Sequence, residues 1–367
     1  MPSASQSSIG ASAPPHAHLP ETAADQLRWL DLETDLLQLR VLNFGAVTAR
    51  LELRVGDGWV PMVLGYHDMV SYLGDPFYLG AIVGRVANRV GSAGFDLAGR
   101  RVALDANEEG NQLHGGTAGL GRVFWEIQQV ADDAAELRYT SADGENGYPG
   151  CAEFLLRITV SGASVSYDMS ASVDQTTPIN LSQHNYYTLG VTGDVWGHRL
   201  RCPATAYLPL RPDGVPTGAI APVAGTSLDF TVGQSFAELD PQRRGTDTHV
   251  IFAKGADSHM PEVAKLTAPN GVAMRVCSDQ PGAQIYTATH LNSAVTAQGG
   301  QQLAPFAAVC IEPQGFPDAV NQPDFPSVMV HPGRPYHQKL SLNFSTNEAD
   351  YDDWVLASER PAGVCYR

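Results

Sequence analysis

The sequence is short of positive charge: 23 lysines and arginines stand against 39 aspartates and glutamates, a formal net charge of −16 at pH 7. Such a balance repels a phosphate backbone, so no nucleic acid partner is expected, whereas a neutral, hydroxyl-rich ligand is compatible with it. Cysteine is also scarce. The five, at positions 151, 202, 277, 310 and 365, are odd in number and lack the close pairing of a zinc site or a disulfide framework. A reducing compartment, and with it a cytoplasmic location, is the expectation. No apolar run reaches membrane-spanning length, and the opening MPSASQSSIGASAPPHAHLP has neither a basic n-region nor a continuous apolar h-region, so no membrane partner is expected. Nucleotide and metallopeptidase signatures are missing as well. There is no GxxxxGK[ST] and no HExxH, and GAIVGRVANRVG lacks the spacing and context of a dinucleotide fingerprint, so nothing in the chain asks for a cofactor or a metal.

What is abundant is punctuation. The chain carries 36 glycines and 25 prolines, more than an average globular sequence, which favours many turns over long helices. Between the turns lie short runs such as LLQLRVLNFGAVTARLELRV, AEFLLRITVSGASVSYDMSASV and HQKLSLNFS, whose apolar side chains recur at strand spacing. No amphipathic helix of three turns stands out. With 43% hydrophobic and 17% charged residues there is material for a sizeable core, and no fixed repeat points to a propeller or solenoid. The expected fold class is therefore all-β, in one domain over residues 25–345, with few short helices, a mobile N-terminal extension over 1–24 and a C-terminal tail over 346–367. The loop-rich stretch 209–249 reads as a rim over a ligand site more readily than as a linker.

Several polar residues stand in apolar or glycine-rich settings: Asn88 and Arg89 in GRVANRVG, His114 in NQLHGGTAG, His184 in NLSQHNYYTLG, Asp247 in GTDTHVIF, Gln280 in SDQPGAQIY and Glu312 in AAVCIEPQGFPDA. Each also has a structural reading. Arg89 could lock a loop and Asn88 cap a turn, His114 and His184 could be satisfied within the fold, and Asp247 could close an Asx turn. Gln280, ahead of Pro281-Gly282, suits a hairpin backbone. Glu312 is the best functional candidate, because it ends an apolar strand just before a proline-broken loop and so sits where a rigid element enters a cleft. Asp318 in FPDA reads instead as a loop-locking turn residue.

GRVANRV at 84–90, LHGG at 113–116, GYPG at 147–150, TPINLSQHNYYTLG at 177–190, VPTGAI at 215–220, QPGAQIY at 280–286 and IEPQGFPDAVNQPDFPSV at 311–328 together resemble, in order, the aldose 1-epimerase (galactose mutarotase) family. The resemblance runs from about residue 35 to 345 and implies a large antiparallel β-sandwich holding a monosaccharide. It implies His184 as general acid and Glu312 as general base, with Asn88, Arg89, His114, Asp247 and Gln280 as substrate-binding residues and no cofactor. The segment GTDTHVIF departs from the family's GxDH-like wording, which leaves the register of Asp247 open and displaces His249.

The implied reaction opens the sugar ring at C1–O5, rotates C1–C2 and recloses on the other face, which an acid and a base accomplish alone. Glu312 would take the O1 proton while His184, protonated beside the ionised glutamate, gives one to O5. Tyr186, Phe316 and Trp125 are candidate apolar surfaces for the sugar. A hexose-phosphate epimerase would need an added basic cluster, a glycoside hydrolase opposed carboxylates, and a binding module neither acid nor base. A self-contained sandwich is compatible with a monomer or a small homo-oligomer.

Overall fold

The computed structural model describes residues 22–253 and 260–346, with the side chains at 293–296 left aside. The expected extension over 1–24 and tail over 346–367 lie almost wholly outside the described residues. Helix is confined, among those residues, to Ala23–Gln26 and Phe236–Leu239 and a few 3₁₀ turns. Everything else that is regular is strand. The turn-rich composition accounts for this, since few stretches are long enough to offset the cost of nucleating a helix.

A nine-stranded antiparallel sheet forms the larger layer, running from Glu126–Ala131 through Ala152–Ser161, Ser164–Val173 and Tyr336–Ser345 to Arg199–Arg201 and Gln234–Ser235. Its long hairpin Ala152–Ser161/Ser164–Val173 alternates buried and accessible side chains, as a sheet with one face on the core must. A five-stranded sheet forms the second layer, in the order Ala221–Pro222, Ala204–Tyr207, Asp247–Phe252, Gly282–Tyr286, Cys310–Gln314. A four-stranded meander, Trp29–Glu33 to Gly58–Pro61, closes one side.

Leu156 and Ile158 from the large sheet, Val250, Ile285 and Ile311 from the small one, and Leu39 and Leu51 from the meander meet in one core. Each such aliphatic side chain contributes roughly 1.5–3 kcal/mol by leaving water. Two strands of the small sheet are buried on both faces: every residue of Gly282–Tyr286 and Cys310–Gln314 is buried. Its second face is covered by the chain between Tyr78 and Trp125 and by the 180–190 segment, which hold a separate apolar cluster around Tyr78, Tyr186, Tyr286 and Cys310.

Cys151, Cys202 and Cys310 are free thiols, but Cys277 is disulfide-bonded. The scattered, odd-numbered cysteines gave no reason to expect that bond. No helix among the described residues is long and apolar enough to cross a membrane.

Candidate active site

The site is built on the second face of the small sheet. Register places Glu312 opposite Gln284 and Gln284 opposite His249, while Cys310 faces Tyr286 and Tyr286 faces Asp247. Residues directly opposed on antiparallel strands share a face, and alternate residues along a strand do too. Asp247, His249, Gln284, Tyr286, Cys310, Glu312 and Gln314 therefore point away from the core that takes Val250, Ile285 and Ile311. Gln284 donates its Nε2 proton to Asp247 Oδ1 at 2.7 Å, tying two of these strands together across the site.

His184 arrives from a chain segment wedged between two others. Its N–H donates to Ala81 O at 2.8 Å and its carbonyl accepts from Gly80 N–H at 3.0 Å, while Tyr187 exchanges both backbone bonds with Val309. The wedge brings His184 Nε2 to 3.6 Å from Glu312 Oε1 and His184 Nδ1 to 3.7 Å from Cys310 Sγ. Tyr186 stacks on the imidazole at 5.1 Å between centroids, and His114 meets it edge-on at 5.3 Å. Asn180 anchors the other end of this segment by donating to Gly315 O and accepting from Gly315 N–H, which fixes the loop leaving Glu312.

Asn88 and His114 are locked together. Asn88 N–H donates to His114 Nδ1 at 3.1 Å and His114 N–H donates to Asn88 O at 3.0 Å, with φ of 62° and 51° respectively. Since Nδ1 accepts, the neutral ring carries its proton on Nε2. The next residue has to be glycine: Gly115 has φ +86°, and a Cβ there would lie 1.8 Å from Gly84 O. Arg89 holds Glu108 through two bonds of 2.6 and 2.8 Å and reaches Asp247 at 3.8 Å. The loop carrying Gly214 lies against its guanidinium, with Val215 and Arg211 beside Gly91, so residues 211–215 form a wall next to Arg89; Asp318 accepts from Gly91 N–H at 2.9 Å.

Burial decides the resting charges. It lowers His184 to about 4 and His114 well below the ordinary imidazole value, and it raises Glu312 well above the carboxylate range, with Asp247 adding to the rise. Desolvation disfavours both charges, so the pair rests with the proton on Glu312 and His184 neutral. The reacting state expected of the pair, a protonated His184 beside an ionised Glu312, is the other tautomer of this pair. The proton count is unchanged, and a single transfer across the 3.6 Å gap converts one state into the other. One ligand atom each of His184, Cys310 and Glu312 lies within 4.8 Å of the other two, all three residues being buried.

The aldose 1-epimerase family model matches residues 29–343. The chain belongs to the aldose 1-epimerase family. It is 33% identical over 321 residues to the galactose mutarotase of Rattus norvegicus, covering 86% of this chain and 93% of that one. It is 28% identical over 316 residues to the aldose 1-epimerase of Escherichia coli, covering 83% and 91%. An aldose epimerase homologue from C. elegans superimposes with a TM-score of 0.83 at 25% identity, over 88% of this chain and all of that one. The galactose 1-epimerase of Lactobacillus acidophilus gives 0.77 at 24% identity, over 88% and 95%, which speaks to the fold alone. General aldose 1-epimerase activity is what this homology supports.

Within this epimerase fold His184, Glu312, Asn88, Arg89, His114 and Asp247 come together. Gln280 does not. It sits in the turn before Gly282, its N–H donating to Ser278 Oγ and its side chain to Asp279 Oδ1, as its hairpin reading had it. Gln284, four residues on, takes the place beside Asp247 and Glu312. The strand alternation of GAQIY was the available signal, because it sets Gln284 on the face opposite Ala283 and Ile285. Glu108, the partner of Arg89, carried no signal in sequence. Of the candidate aromatic surfaces, Tyr186 lies on His184 and Phe316 packs on His249, but Trp125 is in the core against Tyr139 and Phe154. Asp318 locks its loop, accepting also from Asn321 and Gln322.

Proposed function

We propose that the chain interconverts the α and β anomers of free aldohexoses such as galactose or glucose, with Glu312 as base and His184 as acid. The observation that carries this reading is the buried contact of 3.6 Å between His184 Nε2 and Glu312 Oε1. A sugar seated with O1 at Glu312 and O5 at His184 gives up the O1 proton as the C1 carbonyl forms and receives one at O5 as the ring bond breaks. Closure onto the opposite face runs the same two transfers backwards. Reaction starts from the tautomer in which Glu312 has passed its proton to His184. Burial makes that tautomer costly in an empty site, and a polar sugar seated against both groups supplies hydrogen bonds to both charges.

Neutral His114, donating from Nε2, and Arg89, braced by Glu108, are the donors proposed for sugar oxygens. Asp247 and Gln284 are the proposed partners for hydroxyls, Gln284 in place of Gln280. Arg89 is committed to Glu108 and Asp247, which favours a neutral sugar over a hexose phosphate.

Anomer exchange followed by polarimetry or NMR over a panel of free aldoses tests the proposal. Wild type should accelerate exchange, and E312Q and H184N should each lose about 10²–10⁴-fold in kcat while still binding sugar. A wild type that binds sugars yet leaves the spontaneous rate unchanged for every aldose refutes it.

A further inference from the structure

The floor of the site holds an unusual set of orphaned polar atoms. Glu312 Oε2, both amide atoms of Gln314 and both ring nitrogens of His249 are buried and, among the described residues, have no hydrogen-bond partner. His249 and Gln314 are wholly buried. A buried polar group without a partner is uncommon enough to require an explanation, and here four neighbouring residues share the deficit, Gln284 Oε1 being orphaned too.

Their placement follows from the register. Gln314 stands two residues beyond Glu312 on the same face and directly opposite Gly282. Gly282 has no side chain, and the His249 ring occupies that space: a Cβ on Gly282 would lie 2.4 Å from His249 Nε2. Directly opposed side chains on paired strands are about 5 Å apart at Cβ, so Gln314 borders both the space over Gly282 that the His249 ring fills and, along its own strand, Glu312. Phe316 packs against the far side of the ring at 5.2 Å and keeps it there.

Of the two amides beside Glu312, Gln284 already donates to Asp247 and Gln314 donates to nothing, which leaves Gln314 as the donor for Oε2. A neutral imidazole has one N–H to give, the amide can accept at Oε1 and donate from Nε2, and an ionised carboxylate only accepts. We propose that His249 and Gln314 are positioning residues for the base, forming a chain in which His249 N–H donates to Gln314 Oε1 and Gln314 Nε2 donates to Glu312 Oε2 once that carboxylate is ionised. His184 and the sugar engage Oε1, and the chain receives the other oxygen. Without it, a buried Glu312 would hold its proton too firmly to serve as a base near neutral pH.

The other titratable groups facing Glu312 are Asp247 from the Asp247–Phe252 strand, His184, Tyr186 and Tyr187 from the wedged segment, and Cys310 on its own strand. Burial keeps both tyrosines and Cys310 protonated, and none of these groups donates to Oε2, which has no hydrogen-bond partner among the described residues.

The inference rests on the reading of Glu312 as base, and the test separates the two. Anomer exchange is measured by NMR from pH 4 to 8 for wild type, E312Q, Gln314→Met, His249→Phe and His249→Gln, with the spontaneous rate subtracted. In Gln314→Met the acid limb of kcat should move up by about one pH unit, a tenfold loss below the limb, with KM within twofold and the alkaline plateau retained. His249→Phe should move it the same way by less, His249→Gln should restore it, and the double variant Gln314→Met/His249→Phe should shift no further than Gln314→Met. Acid limbs within 0.2 pH units of wild type, or strictly additive shifts, overturn the relay while E312Q remains inactive. An active E312Q overturns the base assignment itself. Should Gln314→Met fail to fold, the contrast between His249→Phe and His249→Gln decides.

Discussion

Replacing Gly282 by alanine tests the packing of the site floor without touching any group that reacts. The added methyl would meet Val250 O at 2.4 Å and His249 Nε2 at 2.4 Å. Ordinary van der Waals contact starts near 3.5 Å, so both approaches are short by about 1 Å. The two obstacles differ in kind. The Val250 carbonyl belongs to the paired strand and can retreat only if the Asp247–Phe252 and Gly282–Tyr286 strands part, whereas the imidazole can turn. Overpacking of a well-filled interior costs about 1–3 kcal/mol, and with a main-chain obstacle included we expect the upper end, about 3 kcal/mol, in urea unfolding at pH 7. In a His249→Ala background one obstacle is gone, so the same glycine substitution should cost about 1 kcal/mol less, read as the coupling term of a double-mutant cycle. Anomer exchange should fall together with stability, since the parting strands carry Asp247 and Gln284. A loss below about 0.5 kcal/mol would refute the close packing, and a coupling of zero would refute the position of the imidazole over Gly282.

Acid should destabilise the fold in a manner traceable to His249. Burial lowers its folded value to about 3, so between the ordinary imidazole value of 6.5 and about 3 the unfolded chain binds a proton that the folded chain refuses, and stability falls as pH drops through that window. At about 1.4 kcal/mol per pH unit per proton, His249→Asn should flatten the loss between pH 6 and 4.5 by roughly 1.5–2 kcal/mol, measured by urea midpoints at the two pH values. Glu108→Gln removes the charged brace of Arg89, and we expect KM for the sugar to rise about tenfold with kcat nearly unchanged; an unchanged KM would show that Arg89 needs no brace. Asp318→Ala leaves Gly91 N–H and the Asn321 and Gln322 amides without their acceptor, so about 2–4 kcal/mol of stability should be lost in chemical denaturation.

The β character of the chain was legible because strand alternation and turn residues are local signals, read within a dozen positions. Glu312 was singled out as a charge after the apolar run AAVCI and expected at a strand end, whereas the strand runs Cys310–Gln314 and carries Glu312 at its middle. The partners that make these groups work were not legible. Arg89 and Glu108 are joined by a loop closure, and the salt bridge between them depends on where the 105–114 segment folds back. The motif QPGAQIY holds two glutamines, and the strand register puts Gln284 rather than Gln280 opposite Glu312. The resting charges also escaped the sequence. Two residue types suited to an ion pair say nothing about desolvation, and it is the burial of His184 and Glu312 that leaves both neutral. His249, displaced from the position the family resemblance led one to expect, became intelligible once Gly282 was seen to make room for it.

The strands Gly282–Tyr286 and Cys310–Gln314 are buried on both faces, one toward the sandwich core and one toward the site. Each therefore encodes two interleaved messages, with Ala283, Ile285 and Ile311 addressed to the fold and Gln284, Cys310, Glu312 and Gln314 to the chemistry. Inserting or deleting one residue within either strand would exchange the two messages at once, turning glutamate into the hydrocarbon core and isoleucine onto the sugar. Length changes in descendants of this sequence should accordingly be confined to the loops over the site, such as 211–215, where new sugar preferences can be tried while these two strands stay letter for letter in phase.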